Sequence, residues 1–281
     1  MAKELDGKVF LITGATEGIG KAAALSFAKG GATLVLVGRN REKTERTVTD
    51  LRAASGNEAI THLLGDMSKI ADVRTVAEGF RRKHDRLDVL VNNAGAVFND
   101  YSLSADGIEM TFALNHVGYF VLTVALLDLV RKTPGARIVS TSSGAHRGGK
   151  VNLDTIVKRN GKAGFSSYSD SKLANILFTR ELARQLDGSG ATANCMHPGF
   201  VRTGFGMNNP GWMASVISVA SSLFARTPEK GAETLVWLAT SPEAAQHNGQ
   251  YFYDKKIAST SKRAQDDAMA KALWELSEKL G

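Results

Sequence analysis

Six short runs of apolar and β-branched residues, separated by longer stretches with helical periodicity, limit the fold of this chain more than any other feature. The runs are Val9–Thr13, Thr33–Val37, Ala59–Leu64, Val89–Asn92, Arg137–Thr141 and Thr192–Met196. Strands of a parallel sheet, buried on both faces, carry near-continuous apolar residues of this kind. The helical stretches are Ile19–Lys29, Arg41–Ala54, Ile70–His84, Gly107–Val130 and Ser169–Leu186. Parallel strands need crossover connections, so the alternation predicts an α/β fold: a doubly wound parallel sheet with helices on both faces. Ligands of such sheets bind outside the carboxyl ends of the strands, where the strand order reverses. Chemistry-bearing residues are therefore expected just after strands.

The 281 residues, 43% hydrophobic and 22% charged, describe a globular chain rather than a disordered one. No Pro-, Ser- or Gly-rich linker divides it, so one domain over residues 1–281 is expected. The single cysteine, Cys195, cannot form an internal disulfide, which points to the cytoplasm. The longest apolar stretches, 119–127 and 213–225, are too short or too interrupted by Ser for an integral membrane span. Met1 to Lys8 is charged and lacks the apolar core of a signal peptide. The net charge of +7, from 35 basic and 28 acidic residues, is scattered. Its short clusters, Arg39–Lys43 and Arg81–Lys83, lack interleaved aromatics, so no nucleic-acid partner is expected.

The first strand runs into Thr13-Gly14-Ala15-Thr16-Glu17-Gly18-Ile19-Gly20 and then a helix. Glycines at such a turn let the backbone approach a pyrophosphate, and the helix N-terminus offers free N–H groups. After the second strand comes Gly38-Arg39-Asn40. An acidic residue there would bind a ribose 2′-hydroxyl, whereas Arg39 offers a charged fork to a 2′-phosphate. NADP(H) is thus favoured and NAD(H) stays open, because Glu17 lies in the same loop. Asp66 follows the third strand, as an acceptor for an adenine amino group or as a turn residue. Asn92-Asn93-Ala94-Gly95 follows the fourth, as an approach to the adenosine ribose or as a capped strand end.

Tyr168-Ser169-Asp170-Ser171-Lys172 puts a phenol and an ammonium one helical turn apart. A neighbouring positive charge lowers a phenol toward neutrality, making it a general acid/base. Ser142 and Ser143 end the fifth strand at the same sheet edge, and Ser143 is the chosen partner for a substrate oxygen. Asn115, inside an apolar helical stretch, either holds a water beside Lys172 or is a satisfied core amide.

With these residues the chain resembles a short-chain dehydrogenase/reductase over its whole length. Gly14, Gly18, Gly20, the Asn-Asn-Ala-Gly run, Asn115, Ser143, Tyr168 and Lys172, and Pro198-Gly199-Phe200-Val201-Arg202-Thr203 carry the likeness. The extended, epimerase-type branch has a different glycine spacing. The chain is most similar to the retinol dehydrogenase and WW-domain oxidoreductase group. That likeness rests on Asn115-His116-Val117-Gly118-Tyr119-Phe120, Ser171-Lys172-Leu173-Ala174-Asn175, His197 and the tail Leu273-Trp274-Glu275-Leu276-Ser277. The 25 positions from Ser143 to Tyr168 fit the same group.

The resemblance implies a Rossmann-type fold with a cofactor half at 1–135, a catalytic and substrate half at 136–281, and a substrate loop near 204–226. It implies a catalytic tetrad of Asn115, Ser143, Tyr168 and Lys172. Thr16, Ile19, Met67, Asn93, Ala94, Gly95, Pro198, Gly199, Val201 and Thr203 join Gly14, Gly18, Gly20, Arg39, Asp66, Tyr168 and Lys172 at the cofactor. No metal site is implied. The implied activity is carbonyl–alcohol interconversion on a small or lipophilic, retinoid-like molecule, by a homodimer or homotetramer. Reduction of a carbon–carbon double bond, or cofactor binding without turnover, are the rival activities.

Overall fold

A computed structural model describes residues 3–201 and 226–281. Its eight strands form one sheet in the order β3-β2-β1-β4-β5-β6-β7-β8. They are β1 (Val9–Thr13), β2 (Thr33–Gly38), β3 (Ile60–Leu64), β4 (Val89–Asn92), β5 (Arg137–Thr141), β6 (Thr192–Met196), β7 (Tyr251–Tyr253) and β8 (Lys256–Ile257). All pairings are parallel except the terminal β7–β8 hairpin. That hairpin turns through Asp254 and Lys255, both with positive φ. Strand order reverses between β1 and β4, so the crevice of a doubly wound sheet opens beyond Thr13 and Asn92.

The helices divide between the faces. Over one lie α1 (Gly18–Lys29), α2 (Arg41–Ser55) and α8 (Pro228–Thr240), burying Phe27, Leu51 and Leu235 against Phe10, Leu34 and Met196. Over the other lie α3 (Ile70–Arg81), α5 (Gly118–Ala125), α7 (Phe165–Gln185) and the C-terminal α9 (Asp267–Leu280), burying Val73, Phe120, Phe178 and Trp274. Local chemistry sets the ends: Asn40 caps α2 at Lys43 N, Thr227 caps α8 ahead of Pro228, and Asp266 caps α9 at Met269 N.

The helix expected over 107–130 is in fact broken. A short turn, α4 (Met110–Phe112), begins where Glu109 caps Phe112 N and leads into a π-helical stretch at Ala113–Val117. α5 follows, and the chain kinks at Leu126 before α6 (Leu127–Lys132). At the end of the wide turn a Cβ on Gly118 would lie 2.2 Å from the Met67 carbonyl oxygen, so the backbones touch there. No helix among the described residues is long and apolar enough to cross a membrane.

Candidate active site

The glycine loop and the end of β4 are riveted by one buried hydroxyl. Thr13 Oγ1 accepts from Asn93 N at 2.9 Å and Ala94 N at 3.1 Å, and donates to the Val91 carbonyl at 3.3 Å. The Asn93 amide donates to the Thr13 and Gly14 carbonyls, while its oxygen accepts from Thr141 Oγ1. The side chain of Asn93 is therefore committed to joining β1, β4 and β5. Gly14 has φ +67°, and a Cβ there would lie 2.7 Å from Ala94 Cα. A Cβ on Gly20 would lie 2.1 Å from the Gly14 oxygen. Gly18, with φ +54°, opens α1. Glu17 gives that helix no side-chain cap, so the first turn keeps its N–H groups for a ligand beside Thr16.

Glu17 instead pairs with Lys43 at the surface, which offsets its charge. Arg39 is exposed at the end of β2 and makes no ion pair with any described residue. It lines a cleft of about 450 Å³ with Asn40, Leu64, Gly65, Asp66, Lys69 and Asp72. Asp66 sits at the edge of this cleft. One of its carboxylate oxygens accepts from Ser68 N and Oγ in a tight turn. Met67 is buried next to it.

β5 and α7 bring the second half of the site together. Tyr168 and Lys172 lie one turn apart on α7, with Lys172 Nζ 5.5 Å from the Tyr168 ring centre. Lys172 donates to the Thr141 carbonyl at 3.0 Å. Ser143 follows β5 by two residues, accepts from Ala145 N and is hydrogen-bonded to the Tyr168 phenol. Ser142 is turned away, its hydroxyl donating to the Lys172 carbonyl. The Asn115 side chain exchanges hydrogen bonds with Ala96 N and O at 2.9 Å and donates to Ser171 Oγ at 3.0 Å. It borders the site, since a Cβ on Gly95 would meet both Asn115 Oδ1 and Lys172 Nζ.

Burial changes the electrostatics expected of the Tyr-Lys pair. In the chain itself the phenol of Tyr168 is pushed up to about 12, burial outweighing the hydrogen bond from Ser143. Burial likewise brings Lys172 down to about 7. A lysine partly neutral near pH 7 supplies only part of the positive charge that a lowered phenol needs. The long interval between Ser143 and Tyr168 is ordered by a buried pair: Asp170, on α7, holds Arg159 and accepts from Lys150 N.

Beyond β6, His197 stacks on Tyr253 with ring centres 4.2 Å apart, and its Nδ1 accepts from Gly199 N across Pro198. Val201 pairs with Arg226. A Cβ on Gly231 would touch both Val201 and Ile19, so the end of this segment meets the glycine loop over α8. Thr203 and positions 204–225 of the expected substrate loop lie outside the described residues. Sequence reasoning missed Thr13 and Thr141. Their signal was only a polar residue ending each of two apolar strands.

Comparison with known proteins agrees with this geometry. The family model for short chain dehydrogenases matches residues 8–214. Human retinol dehydrogenase 14 is 38% identical over 98% of this chain and 86% of that protein. An uncharacterised protein from Mycobacterium paratuberculosis superposes with a TM-score of 0.78 and 30% identity, covering 99% of this chain and 95% of that one. A short chain dehydrogenase from Burkholderia cenocepacia J2315, solved in complex with NADP, superposes at 0.71 with 29% identity, covering 89% of this chain and 96% of that one. The chain belongs to the short-chain dehydrogenase family and is an alcohol–carbonyl oxidoreductase of that family.

Proposed function

We propose that the chain interconverts a carbonyl and an alcohol on a small or lipophilic, retinoid-like molecule, using NADP(H). The observation that carries this reading is the convergence of Ser143, Tyr168 and Lys172 at the carboxyl end of β5, beside the glycine loop and Asn93. The residues fit a dinucleotide: the uncapped start of α1 suits a pyrophosphate, and the cleft at Asp66 suits an adenine. Arg39, without an ionic partner among the described residues, suits a 2′-phosphate, and the Lys43 pairing of Glu17 offsets the charge that would oppose it. The NADP complex of the Burkholderia relative supports the same choice.

A bound nicotinamide would donate or accept the hydride. Ser143 and Tyr168 would hold the substrate oxygen, and Tyr168 would deliver its proton during reduction. Lys172 would hold the phenol in place and pass on the proton. The Asn115 side chain would frame this corner through Ala96 and Ser171, and its oxygen, with one lone pair left, would hold a water beside Lys172. Val201 and Thr203 would orient the carboxamide. Exposed Phe165, with its ring centre 5.9 Å from that of Tyr168, and exposed Phe200 favour an apolar substrate, as do the retinol dehydrogenase relatives. A cytoplasmic setting belongs to this reading. So does self-association, with the two copies meeting away from the α7 surface that α9 occupies.

The test is fluorescence titration with NADPH and NADH, followed by turnover on a panel of lipophilic aldehydes that includes retinal. Tighter NADPH binding and consumption of NADPH with an aldehyde are expected. Binding of neither cofactor to folded protein would overturn the reading.

A further inference from the structure

A buried line of polar groups runs from the C-terminal helix to Lys172. Ser277 on α9 lies 3.0 Å from His116 Nε2, and His116 Nδ1 lies 3.4 Å from Asn175 Oδ1. Asn175 Nδ2 donates at 3.3 Å to the Thr141 carbonyl, the same oxygen that receives Lys172 Nζ at 3.0 Å. Ser277, His116 and Asn175 are each completely buried. His116, Asn175 and Ser277 themselves have no role in the proposed chemistry, though each lies in a run that carries the likeness to the retinol dehydrogenase group.

The hydrogen-bond directions follow from the far end. The Thr141 carbonyl only accepts, so Asn175 must face it with nitrogen and turn its oxygen to His116. Nδ1 of His116 must then carry a hydrogen. Burial holds this ring down to about 4, so it is neutral near pH 7 and Nε2 is bare. A bare Nε2 calls for the Ser277 hydroxyl hydrogen, which the Leu273 carbonyl at 2.8 Å also attracts. If the His116 donor were lost, only the Thr141 carbonyl would hold the Asn175 amide, and its grip on the oxygen it shares with Lys172 would loosen.

We propose that His116 is a positioning residue for Lys172: its Nδ1–H holds the Asn175 amide on the Thr141 carbonyl, so that Lys172 Nζ shares that oxygen with Asn175 Nδ2. This rests on the proposed role of Lys172 in proton transfer. The titratable groups facing Lys172 are Tyr168 on its own helix and Tyr119 on α5, whose ring centre lies 5.8 Å from Nζ.

His116 packs among apolar rings, stacked on Phe112 at 4.9 Å and edge-on to Phe178, so His116→Phe preserves the packing while removing both nitrogens. The test uses the full chain. First, ring nitrogens of ¹⁵N-labelled histidine are observed near pH 7, with the His116 signals identified by their loss in His116→Phe. Protonation at Nδ1 is expected, and protonation at Nε2 alone would overturn the proposal. Second, Lys172 is titrated through its ¹³Cε signal. In His116→Phe the loosened Asn175 leaves more of the shared Thr141 carbonyl to the ammonium, so the midpoint should rise by about one unit, with NADPH affinity unchanged. A purely structural His116 would leave the midpoint where it is, and that result would overturn the proposal. Both readouts are independent of turnover. An inactive parent chain with protonated Nδ1 and the raised midpoint would count against the reaction and not against the hydrogen-bond line.

Discussion

Replacing Thr13 with valine tests how the site is held open. The two side chains have nearly the same shape, and Thr13 is fully buried, so Thr13→Val chiefly removes the hydroxyl. Asn93 N and Ala94 N both lose their acceptor, and the Val91 carbonyl loses a donor. A buried N–H left unpaired costs about 1–3 kcal/mol, and these two are part-buried, so together they cost about 2–4 kcal/mol. That is a large share of the roughly 5–15 kcal/mol that holds a domain folded. Thr13→Ser keeps the hydroxyl and loses one methyl group, at about 1 kcal/mol. Urea unfolding measures both. The serine variant should unfold close to the parent and the valine variant at clearly lower urea, with the slope unchanged. NADPH should bind more weakly to the valine variant, because Gly14 leans on Ala94. A valine variant within about 1 kcal/mol of the parent would refute the rivet, since two stranded N–H groups cannot cost so little.

Arg39→Ala should weaken NADPH binding about ten- to a hundredfold and leave NADH binding nearly unchanged, as a paired titration would show. Gly20→Ala drives a Cβ against the Gly14 oxygen and Asn93 Nδ2. It should cost about tenfold or more in NADPH affinity by the same titration. Burial lowers Lys172 to about 7 from its ordinary 10.5. Between those values the unfolded chain holds a proton that the folded chain has lost, so this group's contribution to stability rises with pH from about 7 to 10.5. Below 7 the cost of burying the ammonium is complete. Urea midpoints measured across that window should lose part of their slope in Lys172→Met.

Much of the sheet was legible because its central strands are buried on both faces and leave continuous apolar runs. β1, β4, β5 and β6 have the bounds expected from sequence, and β2 and β3 differ by one residue. β7 was missed because it is three residues long, and β8 because its two residues are exposed and form only an edge. α8 was missed even though Thr227-Pro228 marks its start, since Gly231 interrupts its apolar pattern. The break in the helix around Asn115 was missed, and the Met67 backbone that meets Gly118 at its end is far away in sequence. In the site, Tyr168, Lys172 and Ser143 could be read because one helical turn and one strand end bring them together. The state of Asn115 could not, because its partners Ala96 and Ser171 meet only in the folded chain.

The account stands most directly on Tyr168. Its phenol is buried, hydrogen-bonded to Ser143 and set beside Lys172, so its replacement by phenylalanine removes the proton donor while leaving the ring. In a single-turnover experiment with NADPH and an aldehyde that the parent chain reduces, Tyr168→Phe should bind NADPH as tightly as the parent. Its hydride-transfer rate should fall about 10²–10⁴-fold. Turnover retained at the parent rate, with the cofactor bound, would contradict the proposed chemistry at its centre.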